Sequence, residues 1–213
     1  MLRILYGGTF DPVHTGHIAV ATAARDALAG KVYFLPSGDP PHRPAPGASA
    51  EQRVRMIALA IAGQENFFLD RRELERAGPS YTIDTLRELR GKLAPETPLA
   101  WLVGDDAFRQ LATWHDWRSL FELCHFVIAT RPGYALDDLH GDLAQMCAGR
   151  WSDQPAALSD QPAGRLYRLA MPLHPASASA IRRSLAAGRG DRGWLPPLVA
   201  EYVRKQGLYA ARV

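Results

Sequence analysis

Short apolar runs at residues 2–6, 32–35, 67–69, 99–103, 126–129 and 166–169 read as strands. Segments of helical periodicity lie between them, at 15–29, 51–62, 82–91, 106–112, 117–123 and 137–147. Regular strand–helix alternation calls for parallel strands joined by right-handed crossovers. The predicted fold is therefore α/β: a doubly wound, Rossmann-like parallel sheet in a single domain over 1–213, completed by C-terminal helices within 175–213. Ser49-x-x-Gln52 has the pattern of a capping box ahead of the second helix. Pro196 and Pro197 suit the start of a last helix within 196–213, and Gly207 its end. Residues 36–50, with five prolines, are expected to form a loop over the site, and 148–165 an exposed connection.

In such a sheet ligands bind beyond the carboxyl ends of the strands. Three loops are expected there: the one opening at Gly7, then Gly104-Asp105-Asp106, then Arg131-Pro132-Gly133. The first carries most of the chemistry, reading Gly7-Gly8-Thr9-Phe10-Asp11-Pro12-Val13-His14-Thr15-Gly16-His17. Glycines let a ligand come close to the backbone, and a helix starting near Thr15 would aim N–H groups and a positive dipole end at it. His14 and His17, three apart, share one side of the first turn. The combination suits phosphate. Zinc would need further ligands at recognisable spacing, and the sequence offers neither a nearby Cys pair nor His-Glu-x-x-His.

Near the other end, Pro175-Ala176-Ser177-Ala178-Ser179-Ala180-Ile181-Arg182 fits a helix start. Ser177 or Ser179 would be its N-cap, with Arg182 in the first turn. It reads either as a second anion site or as plain capping. Gly188-Arg189-Gly190-Asp191-Arg192-Gly193 spells a dinucleotide fingerprint, but it follows a helix instead of a strand. Gly188 is better read as a helix C-terminal cap. A P-loop sequence is absent.

Composition narrows the picture slightly. At 213 residues, with 47% hydrophobic and 22% charged, the chain can bury a substantial core. A net charge of +3 suits a phosphorylated small molecule and is too weak and unclustered to argue for nucleic acid. Two cysteines, no leader and no apolar run of membrane length point to a cytoplasmic protein with no membrane partner.

Together the two motif-bearing ends resemble the nucleotidyltransferases that carry H-x-G-H and I-S-S-T-x-I-R motifs. Within these, the chain is most similar to the bacterial nicotinate-nucleotide adenylyltransferases. The matching pieces run from end to end: the Gly7 to His17 segment, Pro40-Pro41-His42-Arg43, Pro79-Ser80-Tyr81-Thr82-Ile83-Asp84-Thr85-Leu86, Gly104-Asp105-Asp106, Trp114-His115-Asp116-Trp117 and Arg131-Pro132-Gly133. The C-terminal motif departs at Ala176 and Ala178. The resemblance implies a reaction of ATP with nicotinate mononucleotide that gives nicotinate adenine dinucleotide and pyrophosphate. It also implies Mg²⁺ and a cytoplasmic enzyme; the ion is expected to be held mainly by ATP phosphates with no protein ligand, and the protein to be a monomer or weak homo-oligomer.

By the same resemblance His14, His17 and Arg182 are catalytic. ATP would meet Gly8, Thr9, Phe10, His14, His17, Gly104, Asp106, Ser179 and Arg182, with Thr15 a further phosphate contact. The mononucleotide would meet Gly7, Gly8, Thr9, His42, Tyr81, Thr82, Thr85, Trp117 and Arg131. Trp117 would face the pyridine ring, and groups near Thr85 its carboxylate. Taken apart from the resemblance, Trp114 and Trp117 could equally be core, and His42, Arg43 and Arg131 solvated loop. Three rivals are an adenylyltransferase for nicotinamide mononucleotide, one for phosphopantetheine, and a non-catalytic nucleotide-binding regulator.

Overall fold

The computed structural model describes residues 1–38, 47–130, 139–171 and 174–211. Its centre is a seven-stranded sheet in the order β3-β2-β1-β4-β5-β7-β6. The strands are β1 (Arg3–Gly8), β2 (Lys31–Pro36), β3 (Phe67–Leu69), β4 (Leu99–Gly104), β5 (His125–Thr130), β6 (Trp151–Ser152) and β7 (Leu166–Ala170). Every pairing is parallel. Helices α1 (Thr15–Leu28) and α2 (Ala50–Ile61) follow β1 and β2, while α3 (Arg72–Glu75) and α4 (Thr82–Lys92) lie between β3 and β4. Next come α5 (Asp105–Arg109), α6 (Leu120–Leu123) and α7 (Gly141–Cys147), and after β7 the helices α8 (Ala178–Ala186) and α9 (Pro197–Lys205).

Alternate residues of the central strands feed two separate cores. Ile4, Val32, Phe34, Ala100, Leu102 and Val127 face the side packed by α1, α2, α8 and α9. Leu5, Leu35, Leu99, Trp101, Phe126 and Ile128 face the side packed by α4, α6 and α7. A strand buried on both faces reads as an unbroken apolar run, which is why these strands stand out in the sequence. The sequence order reverses between β1 and β4, so the carboxyl ends at Gly8 and Gly104 flank the crevice where such sheets bind ligands.

One expectation is corrected, and two local features are added. Residues 148–165 are not simply exposed: they hold β6 and a 3₁₀ turn, Pro155–Leu158, whose Leu158 is fully buried. The polar stretch at 72–75 is helical. Trp114 and Trp117 do not share a helix. Trp114 ends the 3₁₀ turn Leu111–Thr113, Trp117 opens Trp117–Ser119, and Asp116 between them turns left-handed at φ 47°. The tail helix starts at the prolines and runs to Lys205, with Gly207 at φ 59° just past its end, as expected.

Arg90 holds the lower edge together. Its guanidinium donates to the carbonyls of Leu123 at the end of α6 (2.8 Å) and of Thr97 (2.7 Å) and Pro162 (2.7 Å) in two separate connections. Arg90→Leu leaves three carbonyls without that donor and should destabilise the fold by about 2–4 kcal/mol, measured by urea denaturation.

Candidate active site

After β1 the chain passes through Thr9 and Phe10 into α1, whose N-cap is His14. The cap is reciprocal. His14 Nδ1 accepts the His17 N–H at 3.3 Å, and His17 Nδ1 accepts the His14 N–H at 3.2 Å. The two rings stack with centroids 3.6 Å apart and planes 21° from parallel. With each Nδ1 acting as an acceptor, the proton of each neutral ring must sit on Nε2. Burial lowers the His14 imidazole to about 4, and the neighbouring His174 adds to the effect. His17 is lowered well below the ordinary histidine value, by burial first and then by His14 and His174. Both are neutral Nε2–H donors at neutral pH.

Gly16 makes this crowding possible. A Cβ there would stand 3.0 Å from His14 Nδ1 and 3.1 Å from the Nδ1 of His174, which comes from the segment preceding α8. Gly7 and Gly8 are also required by close packing within the protein. They end β1, and their open sides are filled by protein: a Cβ on Gly7 would meet the Trp101 ring at 2.6 Å, and one on Gly8 the Phe10 ring at 3.1 Å. Thr15 is also corrected as a phosphate contact. Its N–H (2.9 Å) and hydroxyl (3.0 Å) both donate to the Trp194 carbonyl, so the donors of this helix start lie on its imidazoles more than its backbone.

Asp11 joins the loop to the rest of the site. Its carboxylate accepts the N–H groups of Gly47 (2.8 Å) and Ala48 (3.0 Å) and the Tyr209 hydroxyl (2.7 Å). Arg182 donates to the Asp11 carbonyl at 2.6 Å and lies 3.7 Å from its carboxylate. The N-terminal and C-terminal motifs thus meet directly. Beneath them the fully buried Arg53 of α2 donates to the carbonyls of Thr9 and Ser37, both at 2.9 Å. In α8 the cap is Ser177, whose Oγ accepts the Ala180 N–H at 3.2 Å. Arg182 therefore falls in the second turn, not the first, and Ser179 is exposed on the first. Gly188, at φ 68°, closes α8 with the paired bonds of a Schellman motif, Arg189 N–H to Ser184 and Gly188 N–H to Leu185. The fingerprint-like glycines are a helix end.

On the other flank, a cavity of about 560 Å³ is lined by Ser80, Tyr81 and Thr82 at the start of α4 and by Gln110, Thr113, Trp114 and His115. The Tyr81 and His115 rings lie 4.7 Å apart. Two predicted pocket residues are not on this wall. Trp117 is buried and packs edge-on against Phe121, because the Asp116 turn directs Trp114 to the cavity instead. Thr85 is fully buried; its hydroxyl donates to Glu73 (3.0 Å) and accepts from Arg76 (3.1 Å), so it is an internal contact. Gly104 and Asp106 are exposed beyond β4, while Asp105 turns inward. His42 and Arg131, with Arg43, lie outside the described residues.

A topological switch point flanked by helix starts marks a ligand crevice, and comparison with known proteins shows which family it serves. The cytidylyltransferase-like family model matches residues 5–184. Over 98% of its length and 96% of the relative's, the chain is 55% identical to the "Probable nicotinate-nucleotide adenylyltransferase" of Stenotrophomonas maltophilia (strain K279a). It is 46% identical, with the same coverage, to the protein of that name from Xylella fastidiosa (strain M12). The chain belongs to the cytidylyltransferase-like family and, within it, to the nicotinate-nucleotide adenylyltransferases. Its fold is shared by the Plasmodium falciparum nicotinic acid mononucleotide adenylyltransferase complexed with NaAD (TM-score 0.73, 18% identity, 98% and 97% of the two chains). The same Plasmodium falciparum enzyme complexed with APC gives a TM-score of 0.70 at 18% identity, over 98% and 96% of the two chains. No helix among the described residues is long and apolar enough to cross a membrane.

Arg53, His174, Trp194 and Tyr209 are site residues that sequence reasoning missed. Only Arg53 left a trace: it shares a helix face with the buried Met56, Ile57 and Ala60, where a charge is out of place.

The perturbed groups have opposite effects on stability. Folding favours the neutral His14 ring, so its contribution is complete above 6.5 and is lost as pH falls from 6.5 towards 4. Glu73 is raised to about 7, mainly by burial, so folding favours its protonated form; that contribution is full below 4.5 and lost as pH rises through about 7. Removing the second should expose the first. In urea denaturation, Glu73→Gln should lose stability more steeply than the parent between pH 6.5 and 4.5.

Proposed function

We infer that this protein transfers the adenylyl group of ATP to nicotinate mononucleotide, releasing pyrophosphate and nicotinate adenine dinucleotide, a step in NAD biosynthesis. The observation that carries the reading is the reciprocal His14–His17 cap beside Arg182, with three donors fixed at the crevice between β1 and β4.

The chemistry asks for donors and little else. A phosphate oxygen of the mononucleotide attacks the α-phosphorus of ATP, and the bond from that phosphorus to the β-phosphate bridging oxygen breaks. A phosphate monoester loses its second proton at about pH 6, so the nucleophile needs no protein base. The protein must hold two polyanions in line and stabilise charge on the equatorial oxygens. In this reading His17 Nε2–H contacts the α-phosphate, His14 Nε2–H a neighbouring phosphate, and Arg182 with Ser179 the departing pyrophosphate. The loop at Gly8, Thr9 and Phe10 borders both substrates, Gly104 and Asp106 the adenosine ribose, and Tyr81, Thr82 and Trp114 the pyridine ring. Neutral imidazoles fit this role because they donate without first having to be charged.

The donor set suits ATP bound with Mg²⁺, which would neutralise part of the phosphate charge and would take most of its ligands from outside the protein. Among the described residues, Asp11 is the carboxylate closest in sequence to the histidines, and its oxygens are engaged by Gly47, Ala48 and Tyr209. The reading carries a cytoplasmic location.

Purified protein with ATP, Mg²⁺ and nicotinate mononucleotide should release pyrophosphate; no release with any mononucleotide would favour a binding protein. His17→Ala should lower kcat by about 100- to 1,000-fold while ATP still binds, as loss of one transition-state donor does. Turnover near that of the parent would remove His17 from the mechanism.

A further inference from the structure

Under the cavity at the start of α4 lies a buried charged cluster that the proposed reaction does not use. Glu73, 6% exposed, accepts the Thr85 hydroxyl at 3.0 Å. Thr85 in turn accepts from Arg76 Nη1 at 3.1 Å, and the same nitrogen donates to Ser80 Oγ at 2.7 Å. Ser80 is part of the cavity wall. A continuous hydrogen-bond chain therefore runs from the cavity to an internal carboxyl.

We propose that Glu73 sets how strongly the enzyme prefers an acid over an amide on the pyridine ring, favouring the acid while Glu73 is protonated and losing that preference when it ionises. The inference rests on the adenylyltransferase reading. The cavity wall includes the first residues of α4, where the Asp84 and Thr85 N–H groups return to Tyr81 and those of Thr82 and Ile83 have no partner within the helix. A helix start of this kind favours a carboxylate over a neutral amide. The cluster beneath it decides how much.

Two cations, Arg72 and Arg76, are paired with two carboxylates, while the exposed Lys92 at the far end of α4 is a solvated partner of one of them. Arg72 bridges Asp70 (2.8 Å) and Glu88 (3.1 Å), Arg76 reaches Glu88 at 2.9 Å, and Lys92 reaches it at 2.7 Å. With Glu73 neutral, the cations and carboxylates beneath the cavity balance; an ionised Glu73 adds one negative charge there. The charged groups acting on Glu73 are Asp70 and Arg72 from its own side and Arg76 at the end of α3, and Thr85 meets it from α4. Burial outweighs them and raises Glu73 to about 7, so the switch falls within the working range.

The test is the ratio of kcat/KM for nicotinate mononucleotide over nicotinamide mononucleotide, by pyrophosphate release, between about pH 6 and about pH 8.5. Titration of the substrate phosphate and of His14 and His17 affects both substrates and cancels in the ratio. The parent ratio should fall roughly tenfold across the range, the effect of one partly screened charge. Glu73→Gln should hold the ratio at its low-pH value throughout. A flat parent ratio overturns the proposal, as does a Glu73→Gln ratio that still falls. Arg76→Gln, a second variant, should lower the ratio roughly tenfold at every pH; equal losses for both substrates would make the cluster merely structural and also overturn it. If the parent releases no pyrophosphate with either mononucleotide, the adenylyltransferase reading itself has failed.

Discussion

The Asp11 carboxylate is an anion placed beside a site built for anions, and the rest of the centre depends on how that conflict is resolved. Two main-chain N–H groups and a tyrosine hydroxyl converge on its oxygens, and Arg182 lies within 4 Å while bonding the same residue's carbonyl. The negative charge is thus satisfied internally and turned into scaffolding. It draws together the loop after β1, the start of α2, the second motif on α8 and the segment after α9. Arg53 supports the same loop from below through the Thr9 carbonyl, so the loop is held from both sides by charged residues.

The imidazoles follow the same economy of charge. A protonated histidine would attract phosphate more strongly, yet burial of two stacked rings makes two positive charges untenable there. The reciprocal cap settles the tautomer as well, so the rings need no reorientation before donating. Preorganisation of this kind is what a reaction without a protein base requires.

Most of the sheet was legible because its strands are apolar on both faces. The parts that were not lack that signature: β6 is two residues long, and α3 is a single polar turn whose Glu73 faces inward. The histidine pair was legible from spacing and the meeting of the two motifs from resemblance. At two places the fold adds a packing role that the sequence did not show. Gly7 and Gly8 were read as room for a ligand, and Trp117 as a platform for one. In the fold Trp101 and Phe10 fill the glycines' space, and a left-handed Asp116 turns Trp117 into the core. Local sequence shows which residues can approach something, but not what they approach. Tyr209 and Trp194 were invisible because their partners, Asp11 and Thr15, lie almost the whole chain away.

That separation has a bearing on biosynthesis. The Trp194 carbonyl receives both donors of Thr15, so the first helix is anchored by a segment that leaves the ribosome long after β1 and α1 have done so. A nascent polypeptide halted before residue 190 would contain every strand of the sheet and both histidines, but not that anchor or Tyr209. Competence is therefore a late event in synthesis, and partial translation products would carry the motifs without a finished clamp.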